Sequence, residues 1–176
     1  IAEHVSELLI AQIQKKNDSV LGLATGSTME PVYEKLCEQV ARLNVDVSGL
    51  TTFNLDEYIG LGSDHPQSYR YYMRQHLFNR LAFAQHRTFL PDGLCADPVK
   101  QCEQYSGQIQ QAGHIDLQLL GIGNNGHIGF NEPGTSFGSR THVVPLTEQT
   151  RIDNSRFFDS LDEVPTQAIT LGLQDI

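Results

Sequence analysis

Three stretches of this chain carry side chains that could move protons or hold an anion. The first is Asn54-Leu55-Asp56-Glu57-Tyr58, where two carboxylates follow an apolar run. Side chains alternate along a strand, so Asp56 and Glu57 are expected to point to opposite faces. A carboxylate at a strand end can take a proton from carbon; it can equally be a solvated loop charge or the cap of the next turn. The second is Gly126-His127-Ile128-Gly129-Phe130-Asn131-Glu132-Pro133, which sets His127 five residues before Glu132. A neutral imidazole shuttles protons near pH 7, and a carboxylate can orient and tune it. The alternative is a histidine satisfied within a structural loop. The third is Thr25-Gly26-Ser27-Thr28, three hydroxyls and a glycine between a predicted strand and a predicted helix. That arrangement suits a phosphate, and it also suits an ordinary N-cap turn. Without the lysine of a P-loop it does not suit a nucleoside triphosphate. Arg156, in Asn154-Ser155-Arg156-Phe157-Phe158, is flanked by aromatics, and a part-buried guanidinium holds either a phosphate or a structural carboxylate.

The elements that position these residues alternate along the chain. Residues 1–16 carry Val5, Leu8, Leu9 and Ile13 at helical spacing, and residues 20–24 read as a buried strand. Met29, Val32, Tyr33, Leu36 and Val40 mark a second helix, followed by a strand over 50–55 and a helix over 67–80. Asp97-Pro98 is a good N-cap and N1 pair for a helix that includes Tyr105 and Ile109. An apolar run over 115–122, a short strand over 142–146, a helix over 150–160 and a strand over 168–173 complete the pass. Such alternation predicts an α/β fold: a three-layer, open, mostly parallel sheet with helices on both faces, Rossmann-like. In that class ligands bind at the carboxyl ends of the strands, and all three proton- and anion-handling loops leave strand ends. No repeat or linker divides the chain, which reads as a single domain over 1–176. It begins inside an amphipathic pattern and stops just after a strand, so we expect a domain shortened at both ends, lacking its last C-terminal elements.

Composition narrows the partners. With 176 residues, 39% hydrophobic and 19% charged, the chain has the make-up of a soluble globular protein. Its formal charge of −9, with only 12 scattered basic residues, argues against nucleic acid. No apolar run approaches the roughly 20 residues of a membrane helix, and no signal segment stands out, so a reducing cytoplasm is the default. Cys37, Cys95 and Cys102 lack CxxC spacing and read as free thiols. The histidines form no HxH or HExxH pattern, so no metal site is expected. Gly121 to Gly126 matches the GxGxxG dinucleotide fingerprint, but an irregular glycine-rich loop follows where that fingerprint needs a helix, and we reject a nicotinamide cofactor.

Taken together, the Asn54–Tyr58, Gly126–Pro133 and Asn154–Phe158 blocks, with the Leu21–Thr28 and Ala168–Gly172 segments at either end, resemble the glucosamine-6-phosphate deaminase family over nearly the whole chain. The Asn131-Glu132-Pro133 element separates it from the 6-phosphogluconolactonases, which share the Gly-His part of the loop. The resemblance implies conversion of D-glucosamine 6-phosphate and water to D-fructose 6-phosphate and ammonium, in amino-sugar catabolism, without cofactor or metal. It implies that Asp56 moves a proton between C2 and C1, and that His127 opens the pyranose ring with Glu132 as its tuning partner. It makes Thr25, Gly26, Ser27, Thr28 and Arg156 the phosphate cradle. A homo-oligomer is compatible with it. The family also continues past Ile176 with further elements and a phosphate-binding lysine.

Two departures stand out. Many members have aspartate where this chain has Asn125, which can orient the imidazole by a hydrogen bond but adds no negative charge. Allosterically regulated members have arginine and lysine where this chain has His142 and Val144, which argues against activation by N-acetylglucosamine 6-phosphate. Competing readings are a non-catalytic sugar-phosphate sensor, a galactosamine-6-phosphate deaminase and a 6-phosphogluconolactonase-like hydrolase. The sensor would not need the Asp56, His127 and Glu132 set. One epimeric hydroxyl decides between the amino sugars, and the sequence does not read it.

Overall fold

The structure, a computed structural model, describes residues 1–176 apart from Asn124, Phe157 and the Asp153 side chain. Four strands form a parallel sheet. They are β1 (Val20–Leu23), β2 (Thr51–Asn54), β4 (Thr88–Phe89) and β5 (Leu117–Gln118), in the order β4-β2-β1-β5. Residues Val20 to Leu23 pair in register with Thr51 to Asn54. The predicted strand over 115–122 is regular only at Leu117–Gln118. There Asp116 turns its carboxylate to the Val20 N–H (2.8 Å) and to Lys16 (2.7 Å), anchoring the strand's lower end.

From β1 the chain steps outward through β2 to β4, then returns past β1 to β5. Right-handed crossovers therefore place helix α2 (Glu30–Leu43) on one face and α4 (Pro98–Gln111) on the other. Helix α1 (Ala2–Lys15) packs beside α2. The alternation of residues agrees: Phe53 meets Phe89 (4.8 Å, stacked) and Tyr105 of α4 (5.7 Å, edge-on) on the α4 face. Leu9, Ile13, Leu21, Leu23, Tyr33 and Leu36 belong to the same buried core, which spans both sides of the sheet. The reversal of direction at β1 and β5 opens a crevice between their carboxyl ends, where open α/β sheets bind ligands.

The predicted strand over 50–55 continues beyond the parallel sheet. At Leu55 the chain leaves it and enters β3 (Asp56–Tyr58), which joins a second, antiparallel sheet with β6 (His142–Pro145) and β7 (Gln167–Thr170) in the order β3-β7-β6. Leu55 belongs to both layers, since its N–H donates to Leu23 and its carbonyl accepts from Leu171. The strands expected over 142–146 and 168–173 are thus antiparallel neighbours rather than extensions of the main sheet. Apolar content alone does not distinguish those pairings.

Two helices also differ from expectation. The segment predicted as one helix over 67–80 is α3 (Tyr69–Met73), running into a π-helical turn over Arg74–Phe78. The helix expected over 150–160 is α5 (Glu148–Ser155), which starts earlier because the Thr147 hydroxyl accepts from the Thr150 N–H and caps it.

Candidate active site

The loops singled out in the sequence line one open cavity of about 1170 Å³ at the carboxyl edge of the parallel sheet. Its walls include residues 24–28 after β1, Leu55, Asp56 and Tyr58 after β2, loop residues between Gly121 and Glu132 after β5, and Thr150, Asn154 and Arg156 from α5 and its end. All nine predicted site residues, Thr25, Gly26, Ser27, Thr28, Asp56, Asn125, His127, Glu132 and Arg156, border it. Phe157, beside Arg156, lies outside the described residues.

Asp56 and its neighbour part as a strand requires. Asp56 faces the cavity yet is only 8% exposed, while Glu57 turns to the other side and is 2% exposed. Burial first, and the Glu57 charge second, push the Asp56 carboxyl up to about 8. A carboxylate with so high a pKa is a stronger base than one in water. Burial also pushes Glu57 up, opposed by N–H bonds from Tyr69, Arg70 and Tyr58 and by the Arg70 charge.

The histidine loop is a hydrogen-bonded chain with a fixed direction. The side-chain oxygen of Asn125 accepts from the His127 backbone N–H (3.1 Å) and meets ring Nδ1 at 2.8 Å. Its NH₂ group donates to Glu132 Oε2 at 2.6 Å. A backbone N–H can only donate and a carboxylate can only accept, so the amide has one allowed orientation. Nδ1 therefore carries the proton it donates to Asn125, and Nε2 is left as the lone-pair nitrogen of the neutral ring. Glu132, expected as the tuning partner of His127, reaches the imidazole through the Asn125 amide.

Glycines shape the same loop. Gly123 and His127 close a backbone turn (2.9 Å), and a side chain at Gly123 would overlap the His127 ring. Gly129 has φ +57° and passes under Thr170 and Asp56, with its absent Cβ position 3.5 Å from Asp56 Oδ2. Buried Asn131 docks the segment by donating to the carbonyls of Leu171 (2.7 Å) and Ile128 (2.9 Å). The Phe130 N–H donates to Thr170 Oγ1 at 3.2 Å. Because Thr170 is the β7 partner of Asp56, these bonds bring the histidine loop against the carboxylate strand.

At the other end of the cavity, Gly26 sits at φ +108°, and none of the hydroxyls of Thr25, Ser27 and Thr28 caps α2, whose N-cap is Met29. The N-cap alternative for this turn is thus not what the structure uses. Helix α3 contributes residues that sequence reasoning missed. The Tyr72 hydroxyl donates to the Gly26 carbonyl at 2.8 Å. Tyr58, Tyr69 and Phe130 form an aromatic wall, with Tyr58 and Tyr69 centred 4.8 Å apart and Tyr69 stacked on Phe130 at 6.5 Å. The tyrosine-rich spacing of 69, 71 and 72 was the available signal, and it reads equally well as core. Among the described residues no group of three His, Cys, Asp or Glu side chains could hold a metal, and no helix is long and apolar enough to cross a membrane.

Residues 1–155 match the family of glucosamine-6-phosphate isomerases/6-phosphogluconolactonases. The chain is 52% identical over all its 176 residues to a glucosamine-6-phosphate deaminase of Geobacillus sp., of which it spans 70%. A solved monomeric glucosamine-6-phosphate deaminase superposes on 99% of this chain and 73% of its own, at 47% identity and a TM-score of 0.97. A 6-phosphogluconolactonase from Thermotoga maritima, at 22% identity and a TM-score of 0.73, shares the fold over 99% of this chain and 74% of its own. The chain belongs to the glucosamine-6-phosphate isomerase/6-phosphogluconolactonase family, on its glucosamine-6-phosphate deaminase side.

Proposed function

We propose that this protein isomerises and deaminates D-glucosamine 6-phosphate to D-fructose 6-phosphate and ammonium, as a cytoplasmic enzyme of amino-sugar catabolism. The observation that carries the reading is the division of one cavity. A desolvated carboxylate and a tautomer-locked imidazole border it together with a hydroxyl-lined turn and Arg156. A phosphate held by Thr25 to Thr28 and Arg156 fixes the sugar at C6, so that the reacting carbons meet the proton-moving groups without a separate orientational search.

The chemistry then runs in balanced steps. His127 Nε2 accepts the proton of the C1 hydroxyl and returns it to the ring oxygen as the C1–O5 bond breaks, leaving an open-chain aldehyde. The positive charge on the ring during this transfer is stabilised by Asn125, polarised in turn by Glu132. Asp56 takes the C2 proton while the substrate's own C2 ammonium group gives a proton to the aldehyde oxygen, leaving a neutral enolamine, and Asp56 then delivers its proton to C1. The product is a C2 iminium ion. Water adds to it, and the C2–N bond breaks to release ammonium and the ketone. His127 thus carries the transfer at the ring oxygen and Asp56 the transfer between carbons.

Release of ammonium from glucosamine 6-phosphate, together with the appearance of fructose 6-phosphate, tests the reading. Hydrolysis of 6-phosphogluconolactone in its place would favour the lactonase, and binding of the sugar phosphate without turnover would favour the sensor. Galactosamine 6-phosphate run in parallel decides the epimer.

A further inference from the structure

Two consecutive carboxylates are buried in β3, and the reaction as proposed uses only Asp56. Glu57, on the side of β3 away from the cavity, is held by three backbone N–H groups. Its Oε1 accepts from the Tyr58 N–H and the Tyr69 N–H, and its Oε2 from the Arg70 N–H, each at 2.9 Å. Tyr69 and Arg70 are the first two residues of α3. Ser68 accepts the next N–H, that of Tyr71, through its hydroxyl at 3.1 Å, and its carbonyl accepts from Tyr72. All N–H groups in the first turn of α3 are therefore satisfied, half of them by a side chain from the strand that carries Asp56. One turn later the Tyr72 hydroxyl holds the Gly26 carbonyl.

We propose that Glu57 is a positioning residue for Asp56: its carboxylate fastens β3 to α3, whose Tyr72 holds the Gly26 turn, so one short strut sets the spacing between base and phosphate cradle. This rests on the function proposed above and deepens it. Charge follows the same geometry. Asp56 and Glu57 point apart on adjacent residues, and besides Asp56 the groups whose charge interacts with Glu57 are the Arg70 guanidinium and the phenols of Tyr58, Tyr69 and Tyr105. Arg70 is the cation among them, and the Glu57 charge still acts on Asp56, raising its pKa after burial.

Glu57→Gln keeps an acceptor for Tyr58 and Tyr69 but sets an NH₂ against the Arg70 N–H. The first measurement needs no activity. In protein labelled with ¹³C at the aspartate carboxyl, the Asp56 resonance, identified by its loss in Asp56→Asn, should titrate about one pH unit lower in Glu57→Gln. The second is turnover. Glu57→Gln should lower kcat by roughly 10- to 100-fold, and most of that loss should vanish when the change is made in the Asp56→Asn background. Tyr72→Phe, which cuts the far end of the strut, should raise KM more than it lowers kcat. An unmoved Asp56 titration, or a Glu57→Gln loss of equal factor with and without Asp56, overturns the proposal and leaves Glu57 a helix anchor only. If Glu57→Gln does not fold, Glu57→Asp withdraws the carboxylate by one methylene and must show the same non-additivity with Asp56→Asn. A wild-type protein that releases no ammonium refutes the function, while the titration still decides the influence of Glu57 on Asp56.

Discussion

Asp56→Asn should make this protein slower and, at alkaline pH, more stable. The carboxyl is nearly enclosed, and burial with the Glu57 charge raises its pKa to about 8. In the unfolded chain an aspartate titrates near ~3.9. The folded state thus holds the proton more tightly, so stability from this group is full below the unfolded value. It is lost as pH rises toward the folded one, and the loss is complete above about 8. A carboxyl that met no water would cost the fold on the order of 5 kcal/mol across that range. Asp56 keeps an edge on the cavity, which brings the expected cost to about 1–3 kcal/mol. Asparagine has the same shape and no such cost. Thermal unfolding of the two proteins from pH 5 to pH 9 should therefore diverge, with the variant gaining roughly 3–10 °C relative to wild type at the upper end. Other titrating groups cancel in that difference. Ammonium release by the same variant should fall by at least the roughly 100-fold typical of a lost general base. A melting-temperature gap that does not widen with pH would refute the desolvation argument. Turnover within tenfold of wild type would refute the assignment of the base.

Three further changes probe the histidine loop. Gly123→Ala places a methyl where the His127 ring lies, so the ring must turn off Asn125; kcat should drop roughly 10-fold or more with little change in KM, and an unchanged kcat would show that the ring position is not critical. His127→Gln should slow reaction of the cyclic sugar yet spare an open-chain substrate, and equal slowing of both would remove the ring-opening role. Asn125→Asp replaces an N–H donor 2.6 Å from Glu132 with a second carboxylate oxygen and adds negative charge beside the His127 ring. The pH dependence of kcat/KM should then move to alkaline values, and an unmoved profile would show that Glu132 does not couple to the ring.

Much of this arrangement was legible before folding, for identifiable reasons. The apolar runs at 20–24 and 50–55 and the amphipathic patterns of α1, α2 and α4 are long enough to specify element type, and strand ends locate the loops. The divergence of Asp56 and Glu57 follows from strand alternation alone. What stayed hidden depends on contacts between distant segments. Nothing local in Asp56-Glu57-Tyr58 signals that the strand leaves the parallel sheet at Leu55, because the change is made by pairing with residues 168–170. The bond from Asn125 to the His127 ring was expected, but its link onward to Glu132 was hidden for a different cause. His127 and Glu132 are close in sequence, and only the fold of the intervening glycine turns shows that the amide lies between them. Helix α3 was visible, but its alignment toward Gly26 and Glu57 was not, since tyrosines at 69, 71 and 72 read equally well as packing.

Asp56 sits on β3 and His127 on the loop that follows β5, and Thr170 joins the two. It is fully buried, pairs with Asp56 across β3 and β7, and its hydroxyl accepts the Phe130 N–H of the histidine loop. Gly129 is the residue that lets the loop come this close, since a Cβ there would lie 3.0 Å from the Thr170 hydroxyl oxygen in a backbone conformation that disfavours side chains. Asn131 then locks the approach by spending its NH₂ on the carbonyl of Leu171, the next residue of the same strand end. The antiparallel sheet therefore has a function beyond closing the fold. It carries Asp56, the carbon base of the proposed reaction, on one strand and, on the neighbouring strand, the hydroxyl and carbonyl that dock the histidine loop. In the proposed reaction, the two proton-transfer steps thereby rest on one rigid support, and the proposed phosphate cradle at the end of β1 is spaced from them by α3.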